Sequence, residues 1–212
     1  MIPPLRPTDD VGKVLKWMEK LRVNQLPILD EDNFQGFITE ESIYNLKQVY
    51  DHVNKYELSG SDCVVRGNQH YYDVVRMAYE NQSSLVAVQD DNEYLGVISV
   101  QDVIEAYAQT SSASVPGGII EISLKQIDYS LSEISRLIES EDAKILSSYI
   151  ATDFADTSKL KLTLKLNTEE LSHIVATLSR FGYSISDQYS EKNEEDGEKE
   201  RLEMLMKYLN LS

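Results

Sequence analysis

Gly96, Ser99 and Asp102 stand in the order Gly-x-x-Ser-x-x-Asp. A glycine at the first position lets a ligand approach the backbone, and a serine at a helix start sits among unpaired amides that favour a phosphate. An aspartate three residues further on, one turn into the helix, offers two acceptor oxygens to both hydroxyls of a ribose. Val65, Val86 and Ala87 are the apolar residues that could supply flat walls for a ring. The same residues also have a plain structural reading. Ser99 and its counterpart Thr39 are then helix caps, Asp102 is an ordinary first-turn acid, and the glycines serve turns.

Other constellations fail. His52, His70 and His173 have no ligand-like spacing, no nucleophile motif supports a Ser-His-Asp or Cys-His order, and no Walker-type glycine loop occurs. Cys63 is the only cysteine, which excludes an intrachain disulfide and a cysteine zinc site and fits a reducing cytoplasm. The net charge of −16 argues against a grip on nucleic acid or on an anionic membrane, both of which need clustered Lys and Arg. No apolar run reaches the roughly 18 residues of a membrane span, and Met1-Ile2-Pro3-Pro4 lacks the basic flank and apolar core of a secretion signal. A cytoplasmic, non-catalytic protein with no essential cofactor is expected.

What must position Gly96, Ser99 and Asp102 is a unit that occurs twice. Gly36-Phe37-Ile38-Thr39-Glu40-Glu41-Ser42-Ile43 returns 60 residues later as Gly96-Val97-Ile98-Ser99-Val100-Gln101-Asp102-Val103. Val14, Leu15, Leu26-Pro27-Ile28 and Phe34 fall on Val74, Val75, Val86-Ala87-Val88 and Tyr94 at the same offset. Such a repeat implies one structural unit used twice, neither copy closing its apolar face alone, with a cleft about the pseudo-twofold axis. In the first copy Val11, Val14, Leu15, Met18 and Leu21 mark a helix capped by Asp9 or Asp10. Strands follow over residues 25–29 and 34–38 around the turn 30–33, and then a helix opens at Glu40 with Thr39 as cap. The second copy repeats this as a helix over 72–79, strands over 85–88 and 94–98 around the turn 89–92, and a helix from Val100.

Leu26-Pro27-Ile28-Leu29-Asp30, Gly36-Phe37-Ile38-Thr39 and Gly96-Val97-Ile98-Ser99-Val100-Gln101-Asp102 resemble the paired cystathionine-beta-synthase (CBS) domains, or Bateman module, whose members sense ligands. The resemblance covers about residues 1–112 and implies that Gly96, Ser99 and Asp102, with Val65, Val86 and Ala87 as walls, form an adenosine site. In the first copy Ser42 stands where the ribose-binding aspartate belongs, so the site around Thr39 is expected to be degenerate or specific for something else. Nucleotide-sensing members tend to place basic or imidazole side chains just before the Leu-Pro strand. This chain has Asn24-Gln25 and Ser83-Ser84 there, which weakens the case for ATP and leaves a nucleoside, AMP or a dinucleotide. Members usually carry a short segment before the first strand, whereas this chain starts almost on it, raising the expectation that native N-terminal residues are missing.

From Tyr107 to Gly118 the composition turns small and polar and reads as a linker, assigned to residues 113–118. Ile120, Ile122 and Leu124 then alternate as a strand, Leu131, Ile134, Leu137 and Ile138 share a helical face, and a second strand runs over 144–151. Leu160, Leu162, Leu164 and Leu166 form a period-two strand whose lysine and threonine face is expected to meet solvent. A helix opening at Thr168-Glu169-Glu170 ends at Gly182, and a strand over 183–189 closes a βαββαβ order. Following a CBS pair, that ferredoxin-like order over residues 118–190 resembles an ACT domain, a regulatory module of amino-acid metabolism. Amino-acid-binding ACT modules usually have an Asp-x-Pro-Gly-like turn, where this chain reads Asp128-Tyr129-Ser130-Leu131, so dimerisation is favoured over amino-acid sensing. Residues 191–212 begin acidic and then place Leu202, Leu205, Met206 and Leu209 at helical spacing, read as an amphipathic helix that docks on the body or on a second chain.

The expected fold is α+β: CBS repeat 1 over 1–54, CBS repeat 2 over 55–112, a linker, an ACT-like domain over 119–190 and an acidic tail. The expected function is regulatory. An adenosine-containing ligand (AMP, ADP, ATP or related) binds in the cleft as a regulatory ligand, and the protein responds as a homodimer. The alternative is an interaction scaffold with an empty cleft that docks a regulated enzyme.

Overall fold

Apolar side chains at three- and four-residue spacing fold the first segment into α1 (Val11–Leu21), which buries Val11, Val14 and Met18. The Asp10 side chain accepts from the Lys13 amide, which settles the choice of cap. The structure is a computed structural model, and it describes residues 2–45, 51–91, 93–110, 112–153 and 156–190. The expected tail helix of residues 191–212 lies outside the described residues. None of the described helices is long and apolar enough to cross a membrane. The chain divides into two compact units, Met1–Tyr107 and Ala108–Ser212.

In the first unit β1 (Gln25–Asp30) pairs antiparallel with β2 (Asn33–Thr39), and α2 (Glu40–Tyr44) follows at once. The hairpin loop is tighter than the four polar residues suggest. Glu31 and Asp32, at φ 48° and 75°, make a two-residue turn whose twist suits the strands. The second repeat supplies β3 (Val64–Val65), α3 (Tyr71–Glu80), β4 (Leu85–Asp90), β5 (Glu93–Ser99) and α4 (Val100–Thr110). The offset of 60 seen in the sequence recurs in the pairing. Ile28 faces Gly36 as Val88 faces Gly96, and both hairpins carry an irregularity at the next residue of the leading strand. The Glu40 amide donates to the Asn24 carbonyl, as the Val100 amide does to that of Ser84. Leu5 bridges Ile28 in parallel, as Val65 does Val88, so a short segment does precede the first repeat's hairpin and takes the place of β3.

The repeats meet about their pseudo-twofold. Phe34 and Tyr94, 60 positions apart, stack with ring centroids 6.2 Å apart and an interplanar angle of 11°. Asn24 and Ser84, also 60 apart, are joined by the Ser84 hydroxyl donating to Asn24 Oδ1 at 2.9 Å, and Gln25 Nε2 donates to Ser83 Oγ at 2.6 Å. Phe37 is fully buried among second-repeat side chains, including Cys63 and Val65. The second repeat's core is thus completed by Phe34 and Phe37 of the first, whereas the first repeat also gathers a cluster of its own around Val14, Leu26, Ile28 and Ile38. The Tyr94 hydroxyl is buried without a partner among the described residues, and burial pushes its pKa up to about 12.

One feature breaks the symmetry. The Phe37 amide donates to the Ser59 carbonyl at 2.7 Å and the Ser59 amide returns a bond to Phe37 at 2.9 Å, so the chain between the repeats adds a bridge to the outer edge of β2. Val97, the counterpart of Phe37, lies on the edge strand of the sheet β3-β4-β5. Among the described residues nothing pairs with its outward N–H and C=O groups.

The second unit contains β6 (Ile119–Lys125), α5 (Leu131–Glu139), β7 (Ile145–Thr152), β8 (Lys159–Leu166), α6 (Ser172–Arg180) and β9 (Ser184–Tyr189), a βαββαβ order. Its antiparallel sheet runs β7-β8-β6-β9. Ile120, Ile122, Leu162, Leu164 and Leu166 meet α5 and α6 in a dry core. Two expectations change. Thr168-Glu169-Glu170 does not open the helix: the Thr168 hydroxyl takes the Glu170 amide, and α6 starts at Ser172. The outer face of β8 is not simply solvated, because Thr163 is buried and Lys161 pairs with Glu121 of β6 at 2.9 Å. Residues 117–118 are tied to this unit: the Gly118 amide donates to the Thr168 carbonyl, and its own carbonyl accepts from the Leu166 amide.

Candidate functional site in the second repeat

The β5–α4 junction places Ser99 one residue ahead of a helix and Asp102 in its first turn. Their side chains reciprocate. The Ser99 amide and hydroxyl both donate to Asp102 Oδ2, at 2.8 and 2.6 Å, while the Asp102 amide donates to Ser99 Oγ at 3.0 Å. The Ser99 hydroxyl and amide beside Asp102 hold its carboxyl below the ordinary aspartate value. Asp102 is therefore an anion with Oδ2 spoken for, while Oδ1 takes no hydrogen bond among the described residues. In the first repeat Thr39 and Ser42 make the corresponding box, with the Ser42 amide donating to Thr39 Oγ1 at 3.0 Å and no carboxylate present.

Gly96, Val97, Ser99 and Asp102 line a cleft of about 660 Å³ whose opposite wall, Leu21, Arg22, Val23 and Asn24, belongs to the first repeat. A Cβ placed on Gly96, whose φ is +152°, would meet nothing within 4 Å, so the backbone there is open to the cleft. At Gly36 the same atom would strike the Ser59 carbonyl oxygen at 2.8 Å. The bridge that completes the first sheet thus fills the space over Gly36, where the first cleft would have to open. Thr39 stays a cap beside Ser42.

The predicted walls lie elsewhere. Val86 and Ala87 have no exposed surface and Val65 is 2% exposed, all three in the core shared by the repeats. Strand β4 is covered on both faces, so its apolar run serves packing. The apolar surface of the cleft comes instead from Ile2, Leu21, Val23, Leu95 and Val97. Three amides of the expected phosphate seat at the helix start are taken, those of Ser99, Val100 and Asp102 being bonded to Asp102, Ser84 and Ser99. Arg22, passed over in the sequence, enters the site because the left-handed turn that ends α1 (φ 56°, ψ 43°) carries it there. The readable signal is a single basic residue between the helical stripe that ends at Leu21 and the strand that opens at Gln25. Among the described residues no three His, Cys, Asp or Glu side chains come together as a metal-holding group.

Residues 2–48 and 58–109 each match the CBS-domain family model. The first half of the chain is a CBS-domain pair. Solved structures similar to this CBS pair include a CBS domain pair/ACT domain protein from Thermotoga maritima, at 23% identity over 51% of this chain and 89% of that chain, with a TM-score of 0.44. CBSX2 in complex with AMP is similar at 21% identity over 51% and 88%, with a TM-score of 0.45. CBSX2 from Arabidopsis thaliana is similar at 18% identity over 51% and 86%, with a TM-score of 0.43.

Proposed function

We infer that the CBS pair is a non-catalytic sensor that binds one adenosine-containing molecule in the second-repeat cleft. The observation that carries this reading is the coincidence, in one cleft between CBS repeats, of an open backbone at Gly96 with the aspartate at Asp102. Asp102 Oδ1, which takes no hydrogen bond among the described residues, can accept a ribose hydroxyl, and Oδ2 can accept a second if the Ser99 hydroxyl swings away. Leu95 and Val97 give the base an apolar surface. The hydroxyl and carboxylate in the cleft, Ser99 and Asp102, are bonded to each other as a helix cap, an arrangement suited to holding a ligand. Because both walls contribute, the ligand favours whichever packing of the two repeats closes the cleft, and its effect equals its differential affinity for the two states.

The second half reads as a ferredoxin-like, ACT-type module, on its βαββαβ order and its sheet order with the first strand between the third and the fourth. Its outer strands β7 and β9 carry largely exposed side chains, suited to joining a second copy into a homodimer. The alternative reading, a scaffold with an empty cleft that docks a regulated enzyme, draws on the commitment of Asp102 Oδ2 to the Ser99 cap.

Calorimetric titration of the purified chain with adenosine, AMP, ADP and ATP tests the sensor. Binding that weakens by about 10- to 100-fold in Asp102→Ala is expected, since hydrogen bonds to a charged group contribute about 1.5–3 kcal/mol each. Light scattering on the same samples should give a dimer mass. Absence of binding by all four compounds favours the scaffold.

A further inference from the structure

We propose that the open edge of β5 docks an extended, basic-flanked segment of a partner protein, antiparallel through Val97, and that this segment and a ligand over Gly96 exclude each other. The exclusion rests on the adenosine reading above, whereas the docking stands without it. An edge strand leaves backbone N–H and C=O groups ready to pair with another chain. Val97 presents such a pair, and nothing among the described residues bonds to it. Leu95 and Val100, both exposed, flank it and line the same cleft.

The first repeat shows what this edge accepts. There Ser59 lies antiparallel to Phe37, the counterpart of Val97, and exchanges both backbone bonds with it. The Ser59 carbonyl oxygen stands 2.8 Å, and Leu58 Cβ 3.2 Å, from the place a Cβ on Gly36 would take. Leu58 packs on the apolar cluster that includes Val14 and Leu26. A segment seated in the same way on β5 brings a backbone carbonyl and an apolar side chain over Gly96, into the space that a ligand needs. The cleft offers that side chain Ile2, Leu21, Val23 and Leu95.

Charge complementarity sets the rest of the segment. Asp90, Asp91 and Glu93 stand at one end of β5 and Asp102 at the other, in a chain whose net charge is −16. Arg22 is the one cation among the residues lining the cleft. A free acidic strand is repelled from such an edge, whereas Glu57-Leu58-Ser59-Gly60 is held on its own edge by the chain to either side of it. The fitting occupant therefore has a leucine-like residue followed by a small one, with lysine or arginine on both flanks.

The test is fluorescence anisotropy on the intact chain with the labelled peptide Lys-Lys-Leu-Ser-Gly-Ser-Lys-Lys, the same peptide N-methylated at its first serine, and a form with glutamate for lysine. The lysine peptide is expected to bind. N-methylation, which removes the amide that donates to the Val97 carbonyl, should weaken it at least about tenfold, and the glutamate form should be weaker by at least as much. Val97→Pro, at an edge position where the ladder to β4 loses no donor, should have the effect of N-methylation. Adenosine or AMP at saturation should displace the lysine peptide. Failure of that peptide to bind, or binding indifferent to N-methylation, to Val97→Pro or to the sign of the flanks, overturns the proposal. So does simultaneous binding of peptide and adenosine compound. If calorimetry shows that no adenosine compound binds, the sensor reading falls alone, and peptide binding that N-methylation weakens still upholds the docking.

Discussion

The Asp102 carboxylate faces two claims, because one oxygen completes the Ser99 cap and the residue also lines the cleft. Its lowered pKa makes the cap pH-dependent. A depressed folded-state value means that the stabilisation is present above the unfolded value of 3.8 and is lost as pH falls through the lower folded one. At neutral pH Asp102→Asn should therefore cost about 0.5 kcal/mol, the scale of a single exposed charge at a helix start. The gap between the two proteins' thermal midpoints should narrow as pH falls below 3.8 and close once Asp102 is protonated in the folded state as well; a gap independent of pH would detach the charge from the cap. Ser99 and Asp102 could be read from the sequence because capping chemistry and ligand chemistry ask for the same residue types. Arg22 could not, because its place in the cleft depends on how α1 ends and on which repeat lies opposite.

At the level of elements, the two β-hairpins share register and irregularity, yet their glycines stand in unlike surroundings. Gly36 lies under the Ser59 carbonyl and Gly96 under open space, both at φ values that side chains rarely adopt. Gly36→Ala should cost at least about 2 kcal/mol in urea unfolding, combining backbone strain with a backbone clash. Gly96→Ala should cost about 1 kcal/mol from strain alone and weaken nucleotide binding, since its methyl would project into the cleft. Equal destabilisation by the two would show that the Ser59 bridge does not rest on Gly36. Apart from β3, the helices and strands of both repeats were legible because apolar periodicity, hydroxyl caps and the offset of 60 agree with one another. The Ser59 bridge was not, because Glu57-Leu58-Ser59-Gly60 has no strand-like alternation and forms a bridge only through tertiary pairing. For the same reason Val86 and Ala87 read as a wall, when a strand covered on both faces makes them core.

For the whole molecule, a pseudo-twofold with one filled and one open side predicts one ligand per chain. Calorimetric stoichiometry should be one, and Ser42→Asp should leave it at one although it restores the full motif in the first repeat, because Ser59 still covers Gly36. A value of two would mean that the bridge gives way. The repeat announced two related units, but not that the chain between them had been used to complete one sheet and not the other. That difference can be followed in time. The Phe37 amide, held on Ser59, should exchange its proton for deuterium only when the first repeat opens, whereas the Val97 amide at the edge of β5 should exchange rapidly in the free protein. If a nucleotide in the cleft shields that edge, Val97 becomes a built-in clock for occupancy: its exchange slows on binding while its twin at Phe37 keeps the same pace.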